Sequence, residues 1–237
     1  MKYAIIGVEG PHDQAFTGKV LKLLGFKDFR EELKGLKSDL DPFWRKFIPV
    51  YPKKGNLYTR LNMPSILFND TISVAIYAGE GSNLVTNLDD ILFANSEYQT
   101  NLAAFGIVAD CDKSTPDRPG VVNTNSPRTG VYVLPDNASP GVLDTLLCEC
   151  GQIAYPTYME KASSYLNEFS ESDRKFLKWK NFDREKALVA TVVSVLKPGK
   201  TNTASIADNN WVSEQTQQQV PALANFIEFL RQLLEVS

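Results

Sequence analysis

Cysteine and histidine are scarce in this sequence, and long apolar runs are missing. The 237 residues include three cysteines and one histidine. Three cysteines cannot build a disulfide framework, so we expect reduced packing residues in a cytoplasmic protein. No stretch approaches 18 consecutive apolar residues, and the first residues lack the basic and apolar parts of an export signal. We therefore expect no membrane span and a cytoplasmic location.

A nucleotide-triphosphate loop is also missing. No Gly-x-x-x-x-Gly-Lys-Ser/Thr segment occurs, so ATP hydrolysis by this chain is not expected. The single histidine, His12, has no evident partner as a base or a metal ligand, and a polar loop role is expected for it. What the chain does contain is 43% hydrophobic residues, enough to bury a core of this size.

The most informative stretch is an apolar run that ends in two carboxylates, Asp110 and Asp112. Alternate residues of a strand share a face, so both carboxylates point the same way and Cys111 points to the other side. Neighbouring carboxylates repel unless a cation lies between them, and Mg²⁺ or Mn²⁺ takes such oxygen ligands. The alternative is a strand followed by an acidic, solvated turn.

The first predicted strand, residues 3–8, is also apolar and ends at Glu9. Strands of this kind that alternate with helices predict a parallel sheet, in which the carboxyl ends of the strands line one edge. We therefore expect Glu9 to lie near Asp110 and Asp112, as a metal ligand or as a group that moves a proton.

These two motifs carry a family resemblance. The pattern V-E-G-x-x-D after the first strand, with a later strand that ends D-x-D, resembles the Toprim domain of topoisomerases, primases and OLD-type nucleases. More narrowly, the chain is similar to a family of uncharacterised prokaryotic Toprim-related proteins that share segments 9–13 and 107–112. The resemblance covers residues 1–150 well and the remainder loosely. No tyrosine stands in a motif for a topoisomerase nucleophile.

Two further carboxylates belong to the predicted site. Asp13 lies four residues after Glu9, where OLD-type enzymes carry an acidic residue for a second metal; it would otherwise cap the first helix. Asp144 lies in Gly141-x-x-Asp144, which resembles a metal-binding Gly-x-x-Glu arrangement of the same enzymes. Its alternative role is a favourable charge in the first turns of a helix that we predict to begin with Ser139 as N-cap and Pro140 as first residue.

Asp136 and Lys186 complete the set of candidate residues. Asp136 follows a short predicted strand, residues 130–134, and is a third acid at a strand end. The resemblance to OLD-type nucleases implies that Lys186, early in a helix over residues 183–196, lies near the scissile phosphate. Ordinary surface solvation is the alternative for this lysine.

Charge is unevenly distributed along the chain. Residues 17–60 hold 11 Lys/Arg against 5 Asp/Glu, a net charge of +6, and residues 173–200 hold 8 against 3, a net charge of +5. Residues 61–172 hold 4 against 14, a net charge of −10. A basic path to an acidic metal edge would suit a polyanion, and solvated helix faces would give the same counts. Lys53, Lys54 and Arg60 are the candidate nucleic-acid contacts, because aromatic residues are interleaved with base there.

The predicted organisation is an α/β fold with a Toprim-like, mostly parallel sheet of four or five strands flanked by helices. Residues 1–150 form the Toprim-like domain, with a basic aromatic insertion at 26–62, and residues 151–237 form a helical extension that packs on it. Residues 115–130 are rich in Pro, Asn, Ser and Thr and predict a long surface loop that covers the site.

The leading functional expectation is a Mg²⁺- or Mn²⁺-dependent enzyme that acts on nucleic-acid phosphodiesters, as a nuclease or nicking enzyme on DNA or RNA. Two metals can stabilise both the attacking and the leaving oxygen, which removes the need for a histidine base. The alternative is a non-catalytic component of a defence or repair assembly that binds a nucleotide or nucleic acid with a metal. Phosphoryl transfer on a small metabolite is a third reading. An OLD-type function implies an ATPase supplied by a partner protein, and a homo-oligomer is the other partner expectation.

Overall fold

The computed structural model describes residues 1–29, 42–45, 64–79, 100–111, 120–122 and 127–236. These residues belong to two compact units that alternate along the chain. The sheet unit comprises Met1–Ala109, Gly120–Val131 and Phe229–Ser237, and the helical unit comprises Asp110–Pro119 and Tyr132–Glu228. Residue 150, at which we expected the Toprim-like domain to end, lies within the helix Leu143–Ala154.

Seven strands form one sheet in the described residues. They are β1 (Lys2–Val8), β2 (Lys27–Asp28), β3 (Ser65–Phe68), β4 (Ile72–Ala78), β5 (Leu102–Asp110), β6 (Gly120–Val122) and β7 (Arg128–Leu134). Their order is β2-β3-β4-β1-β5-β7-β6. Strand β1 pairs in parallel with both β4 and β5, while β2 with β3, β3 with β4, and β6 with β7 pair antiparallel. The predicted α/β class, with a parallel centre flanked by helices, is confirmed.

The central strands are apolar because both faces of the sheet are covered. Ala4, Ile5, Ile6 and Val8 of β1 are fully buried. In a parallel sheet covered on both sides, strands read as continuous apolar runs, which is the pattern that predicted β1. The register places Val8 opposite Ala78 and Val108, so β1, β4 and β5 end at the same edge of the sheet.

Helices cover one face of this sheet. Helix α1 (Pro11–Leu23) packs with Gly18 over Ile76 and Leu67, and Gly25 follows it with a positive φ of 85°. A positive φ suits glycine after a helix, as the sequence predicted. The end of the last helix contacts the same face at Gly106, where an added Cβ would lie 2.6 Å from a Leu233 methyl.

The opposite face is covered around Trp44, in the short helix α2 (Pro42–Arg45). The Trp44 side chain is fully buried in a cluster with Ile5 and Ala75, and its indole N–H donates to the Ser73 hydroxyl at 2.8 Å. Most of the predicted 26–62 insertion, including Lys53, Lys54 and Arg60, lies outside the described residues.

In the described residues after β7, every helix or strand is a helix. They are α3 (Leu143–Ala154), α4 (Pro156–Asn167), α5 (Glu171–Phe176), α6 (Asp183–Leu196), α7 (Asn202–Asp208), α8 (Glu214–Gln219) and α9 (Pro221–Leu234). The predicted helical C-terminal region is thereby confirmed. In α6 the apolar face Leu188, Val189, Val192 and Val193 is buried, and α6 packs against α3 and α4. No helix in this described part of the chain is long and apolar enough to cross a membrane.

Two predictions of local structure were wrong. Residues 120–122 are not loop but strand β6, whose Val121 pairs with Gly130 of β7. The helix expected from Pro140 begins three residues later, at Leu143. The reason is that Ser139 donates its hydroxyl to Asp136 and that Gly141 pairs with Cys111, so neither residue is available to start a helix.

Candidate functional site

Asp110 lies at the end of β5 and contacts the start of α3. Its Oδ1 atom accepts a hydrogen bond of 2.9 Å from the backbone N–H of Leu143, the first residue of that helix. The first N–H groups of a helix have no partner within the helix, and the helix dipole favours a negative charge beside them. Asp110 therefore fills the capping position that the helix's own N-cap residue, Val142, cannot fill.

A backbone bridge holds this arrangement in place. Cys111 N–H donates to the Gly141 carbonyl at 2.8 Å, and Gly141 N–H donates to the Cys111 carbonyl at 2.9 Å. A Cβ on Gly141 would lie 2.7 Å from Cδ of Pro135, so only glycine fits there without displacing the proline ring. The bridge fixes the residue that follows Asp110 against the residues that precede α3.

Asp144 is the second residue of α3 and lies in its first turn. The helix dipole favours a carboxylate at this position, as the structural alternative predicted. Gly141 and Asp144, the two residues that resemble the OLD-type arrangement, are thus assigned to the bridge and the first helical turn. Both Asp110 and Asp144 carry their charge at the same helix terminus.

Glu9 and Asp13 belong to the sheet unit. Glu9 follows the last residue of β1 and is half-buried. Asp13 is 8% exposed, and its Oδ2 atom accepts a hydrogen bond of 3.0 Å from the N–H of Gly10, the N-cap residue of α1. Asp13 is therefore the third residue of α1 and not the residue in front of it, because the helix begins at Pro11; its carboxylate bonds back to the N-cap residue, and its metal role stays a prediction.

Asp136 is a turn residue. Its Oδ1 atom accepts from the N–H groups of Ala138 at 2.9 Å and Ser139 at 2.6 Å, and its Oδ2 atom accepts from the Ser139 hydroxyl at 2.9 Å. Partial burial acts to raise the pKa of Asp136, but the hydrogen bonds from Ser139 and Ala138 outweigh it and lower the pKa. Both oxygens accept hydrogen bonds within the turn, and a metal role for Asp136 stays a prediction.

Lys186 is exposed on α6, with its Nζ 3.9 Å from Oδ1 of Asp183. This exposure matches the solvated alternative, and the role beside a phosphate stays a prediction. Asp112 lies outside the described residues. Within the described ranges, no three Asp, Glu, His or Cys side chains gather closely enough to hold a metal ion. The predicted metal site therefore stays a prediction that depends on Asp112.

The cysteines are packing residues in the helical unit. Cys111 and Cys150 are buried, Cys148 is half-buried, and all three are free thiols. Burial, with the nearby charges of Glu185 and Asp144, raises the pKa of Cys148 to about 12. The Cys148 thiol is therefore protonated at neutral pH, which excludes a thiolate nucleophile at this position.

Sequence reasoning missed the backbone partner of Asp110. The Leu143 N–H and the Gly141 bridge involve main-chain groups, which leave no residue-type signature at a separation of about thirty positions. Gly141 was found only through its spacing to Asp144.

The fold and the strand ends together give the class of this protein. It is an α/β protein in which an acidic residue, Asp110, is held at the start of a helix. Residues 113–235 match the family model described as "Protein of unknown function (DUF3226)". This match covers just over half of the chain, and the chain belongs to that family. The comparison with curated proteins gives no match.

One solved structure resembles the whole chain. The crystal structure of hypothetical protein PH0156 from Pyrococcus horikoshii OT3 aligns with a TM-score of 0.51 and 17% sequence identity. The alignment covers 99% of this chain and 96% of the other. At this identity the likeness extends to the fold alone.

Proposed function

We propose that this protein is a Mg²⁺- or Mn²⁺-dependent enzyme that acts on nucleic-acid phosphodiesters, as a nuclease or nicking enzyme. Asp110 and Asp112 are the proposed metal ligands. The observation that carries the proposal is the placement of Asp110 at the carboxyl end of β5, with one oxygen fixed by the Leu143 N–H. Ligands of open α/β sheets bind at this edge.

The chemistry of the residues fits a hard divalent ion in part. A carboxylate with one oxygen held by a backbone N–H retains lone pairs for a metal, and the hydrogen bond fixes its direction. The Leu143 N–H holds Oδ1 of Asp110 in this way, whereas the Asp136 carboxylate accepts hydrogen bonds from its own turn. We therefore build the proposal on Asp110 with Asp112, and the metal roles of Asp13, Asp136 and Asp144 stay predictions.

When bound, the metal would supply charge stabilisation to the phosphoryl oxygens and lower the pKa of an attacking water. The chain's own residues would orient the metal-binding carboxylate and position the strand end that carries it. The Leu143 N–H holds the Asp110 carboxylate, and the Gly141 bridge holds the strand end. From the resemblance, Glu9 moves a proton and Lys186 stabilises charge at the scissile phosphate; both roles are predictions from sequence.

The test is cleavage of labelled single-stranded and duplex DNA and RNA, with Mn²⁺, Mg²⁺ or EDTA. Asp110→Asn is the informative variant, because its amide oxygen still accepts from Leu143 N–H while the negative charge is lost. We expect at least a tenfold loss of metal affinity, about 1.4 kcal/mol, and loss of cleavage. Asp112→Asn and Glu9→Gln test the two other predicted residues.

Asp136→Asn is the matched control, since it removes an aspartate charge at another strand end. It should retain wild-type cleavage and metal affinity. Equal metal titrations for wild type and Asp110→Asn would overturn the metal role, and so would cleavage that persists in EDTA.

One observation favours a second candidate function. Asp110 and Asp144 both lie at the start of α3, where the helix dipole favours a carboxylate even without catalysis. A non-catalytic protein that binds nucleic acid, within a defence or repair assembly, is consistent with this. Binding of an oligonucleotide without turnover, under every metal condition, would favour it over the enzyme.

A further inference from the structure

The segment of residues 174–182, Arg-Lys-Phe-Leu-Lys-Trp-Lys-Asn-Phe, comprises the second half of α5 and the link to α6, and its composition is unusual. It contains four Lys or Arg residues and three aromatic residues, and no Asp or Glu. We name it the basic aromatic segment. The whole of it lies in the helical unit and in the described part of the chain.

The basic aromatic segment exposes large apolar side chains. Phe176 is 84% exposed and Leu177 is 59% exposed. The neighbouring Lys and Arg side chains are solvated, whereas an exposed phenyl ring buries no apolar area and so adds nothing to the stability of the fold. Adjacent exposed apolar side chains rimmed by charge are typical of interaction sites.

A cleft of about 530 Å³ adjoins the segment and is lined by Glu171, Ser172, Arg174, Lys175 and Trp179. The Arg174 guanidinium lies 5.7 Å above the Trp179 ring, and its Nη2 donates to the Leu166 carbonyl at 2.9 Å. The carbonyl therefore helps to fix the cation over the ring. A cleft of this size accommodates one nucleotide-sized group.

The backbone of the segment is strained at two residues. Lys178 and Phe182 have left-handed φ angles of 57° and 65°. Such conformations cost non-glycine residues on the order of 1 kcal/mol each and are concentrated at functional sites. Left-handed turns at these two positions set the directions in which the cations and rings project from the segment.

We propose that the basic aromatic segment binds single-stranded nucleic acid, with Lys175 and Lys178 on phosphates and bases stacked on Phe176 and Trp179. Aromatic faces interleaved with cations are the pattern by which proteins bind unpaired strands. A duplex offers no free base faces to these rings. The inference rests on the proposed function and specifies its substrate as single-stranded.

The charge and shape of the segment favour this occupant over a membrane surface. A membrane-bound helix needs a long apolar face, and α5 has six residues. The lining of the cleft includes Glu171 and Ser172, which suit the polar edge of a base and not a lipid chain. An acidic peptide would engage the cations and leave the Phe176 ring unused.

Tryptophan fluorescence provides a direct test. Of the three tryptophans, Trp44 and Trp211 are fully buried and Trp179 is partly exposed. Titration of the full-length protein with an oligo-dT 20-mer, in EDTA and low salt, should quench the emission of Trp179. The variant Trp179→Phe should lose the quenching and keep the binding of a fluorescein-labelled 20-mer, because phenylalanine still stacks.

Affinity variants then separate stacking from charge. Phe176→Ala should weaken binding by roughly 5- to 100-fold, the usual effect of one lost base stack. Lys178→Ala should lower the slope of log affinity against log salt by about one. Tyr158→Ala and Lys161→Ala remove an exposed ring and an exposed cation outside the segment, and should change neither quantity.

Each outcome either supports or overturns the inference, and failure of the inference can be told apart from failure of the proposed function. Equal affinity for a 20-base-pair duplex, or binding to anionic phosphatidylserine vesicles without oligonucleotide binding, would overturn the inference. Wild-type affinity of Phe176→Ala would do so as well. Because EDTA removes divalent ions, binding that is measured in its presence does not require the metal. Single-strand binding without cleavage would defeat the proposed enzyme and leave this surface in place, whereas metal-dependent cleavage with unaltered affinity in Phe176→Ala would do the reverse.

Discussion

The ends of β5 and β7 look alike in sequence and differ in structure. Asp110 is the last residue of β5, and Asp136 lies two residues after the end of β7. Asp136 accepts hydrogen bonds from residues two and three positions further along the chain, and both of its oxygens are used. The Oδ1 atom of Asp110 accepts from the N–H of Leu143, 33 positions away.

This difference separates a turn from a candidate site. A carboxylate that is satisfied by its own turn needs only local sequence, and Ser139 supplies most of its partners. A carboxylate oriented by a distant helix depends on the tertiary fold, and such orientation is what a ligand-binding group requires. The Asp136 carboxylate therefore stabilises a local turn, and the Asp110 carboxylate is oriented by the tertiary fold.

The largest effect on this comparison is expected from Gly141, which contacts both strand ends. Gly141→Ala brings a methyl to within 2.7 Å of the Pro135 ring, beyond β7, and strains the bridge to Cys111, beyond β5. We expect a loss of about 1–3 kcal/mol in the free energy of unfolding, measured with urea. Gly10→Ala is the control, because the nearest atom to its new Cβ is 3.5 Å away; a loss as large as that of Gly141→Ala would refute the steric argument.

A smaller effect is expected from the cap that Asp110 forms. Asp110→Ala leaves the Leu143 N–H without its acceptor and should cost about 1 kcal/mol of unfolding free energy. Asp110→Asn retains an acceptor and should cost clearly less. Thermal and urea unfolding of the two variants measure the difference. If both variants lose the same stability, the hydrogen bond is not what stabilises α3.

The sequence was a good guide where one element carries its own signal. The apolar runs of β1 and β5 predicted buried parallel strands, and the face from Leu188 to Val193 predicted α6 with its observed bounds. The short strands β2 and β3 were missed. Two to four residues become strands only through their neighbours in the sheet, and that pairing is not visible locally.

The start of α3 shows why local signals fail. Ser139 and Pro140 are typical of a helix start, yet the chain reaches Leu143 before the helix begins. Asp136 binds both the N–H and the hydroxyl of Ser139, and Cys111 binds Gly141. The candidate site was predictable as an acidic strand end, but its geometry depends on these main-chain bonds between distant residues.

The smallest expected effect concerns the pH dependence of the Asp136 turn. The fold lowers the pKa of Asp136 below its ordinary value of 3.8, because the hydrogen bonds from Ser139 and Ala138 outweigh the opposing effect of burial. A lowered pKa stabilises the folded state above the unfolded-state pKa, and this contribution is lost as the pH falls through the folded-state pKa.

Asp136→Asn keeps an oxygen for the two N–H donors and loses the charge, so it should cost less than about 1 kcal/mol at pH 7. Urea unfolding of wild type and variant between pH 7 and acid should show this difference shrinking below pH 3.8. The variant Ser139→Ala, which removes the hydroxyl donor, should reduce the same pH dependence in an otherwise wild-type chain. A difference that stays constant with pH would mean that the Asp136 charge contributes nothing to the turn, and the contrast with Asp110 would then rest on geometry alone.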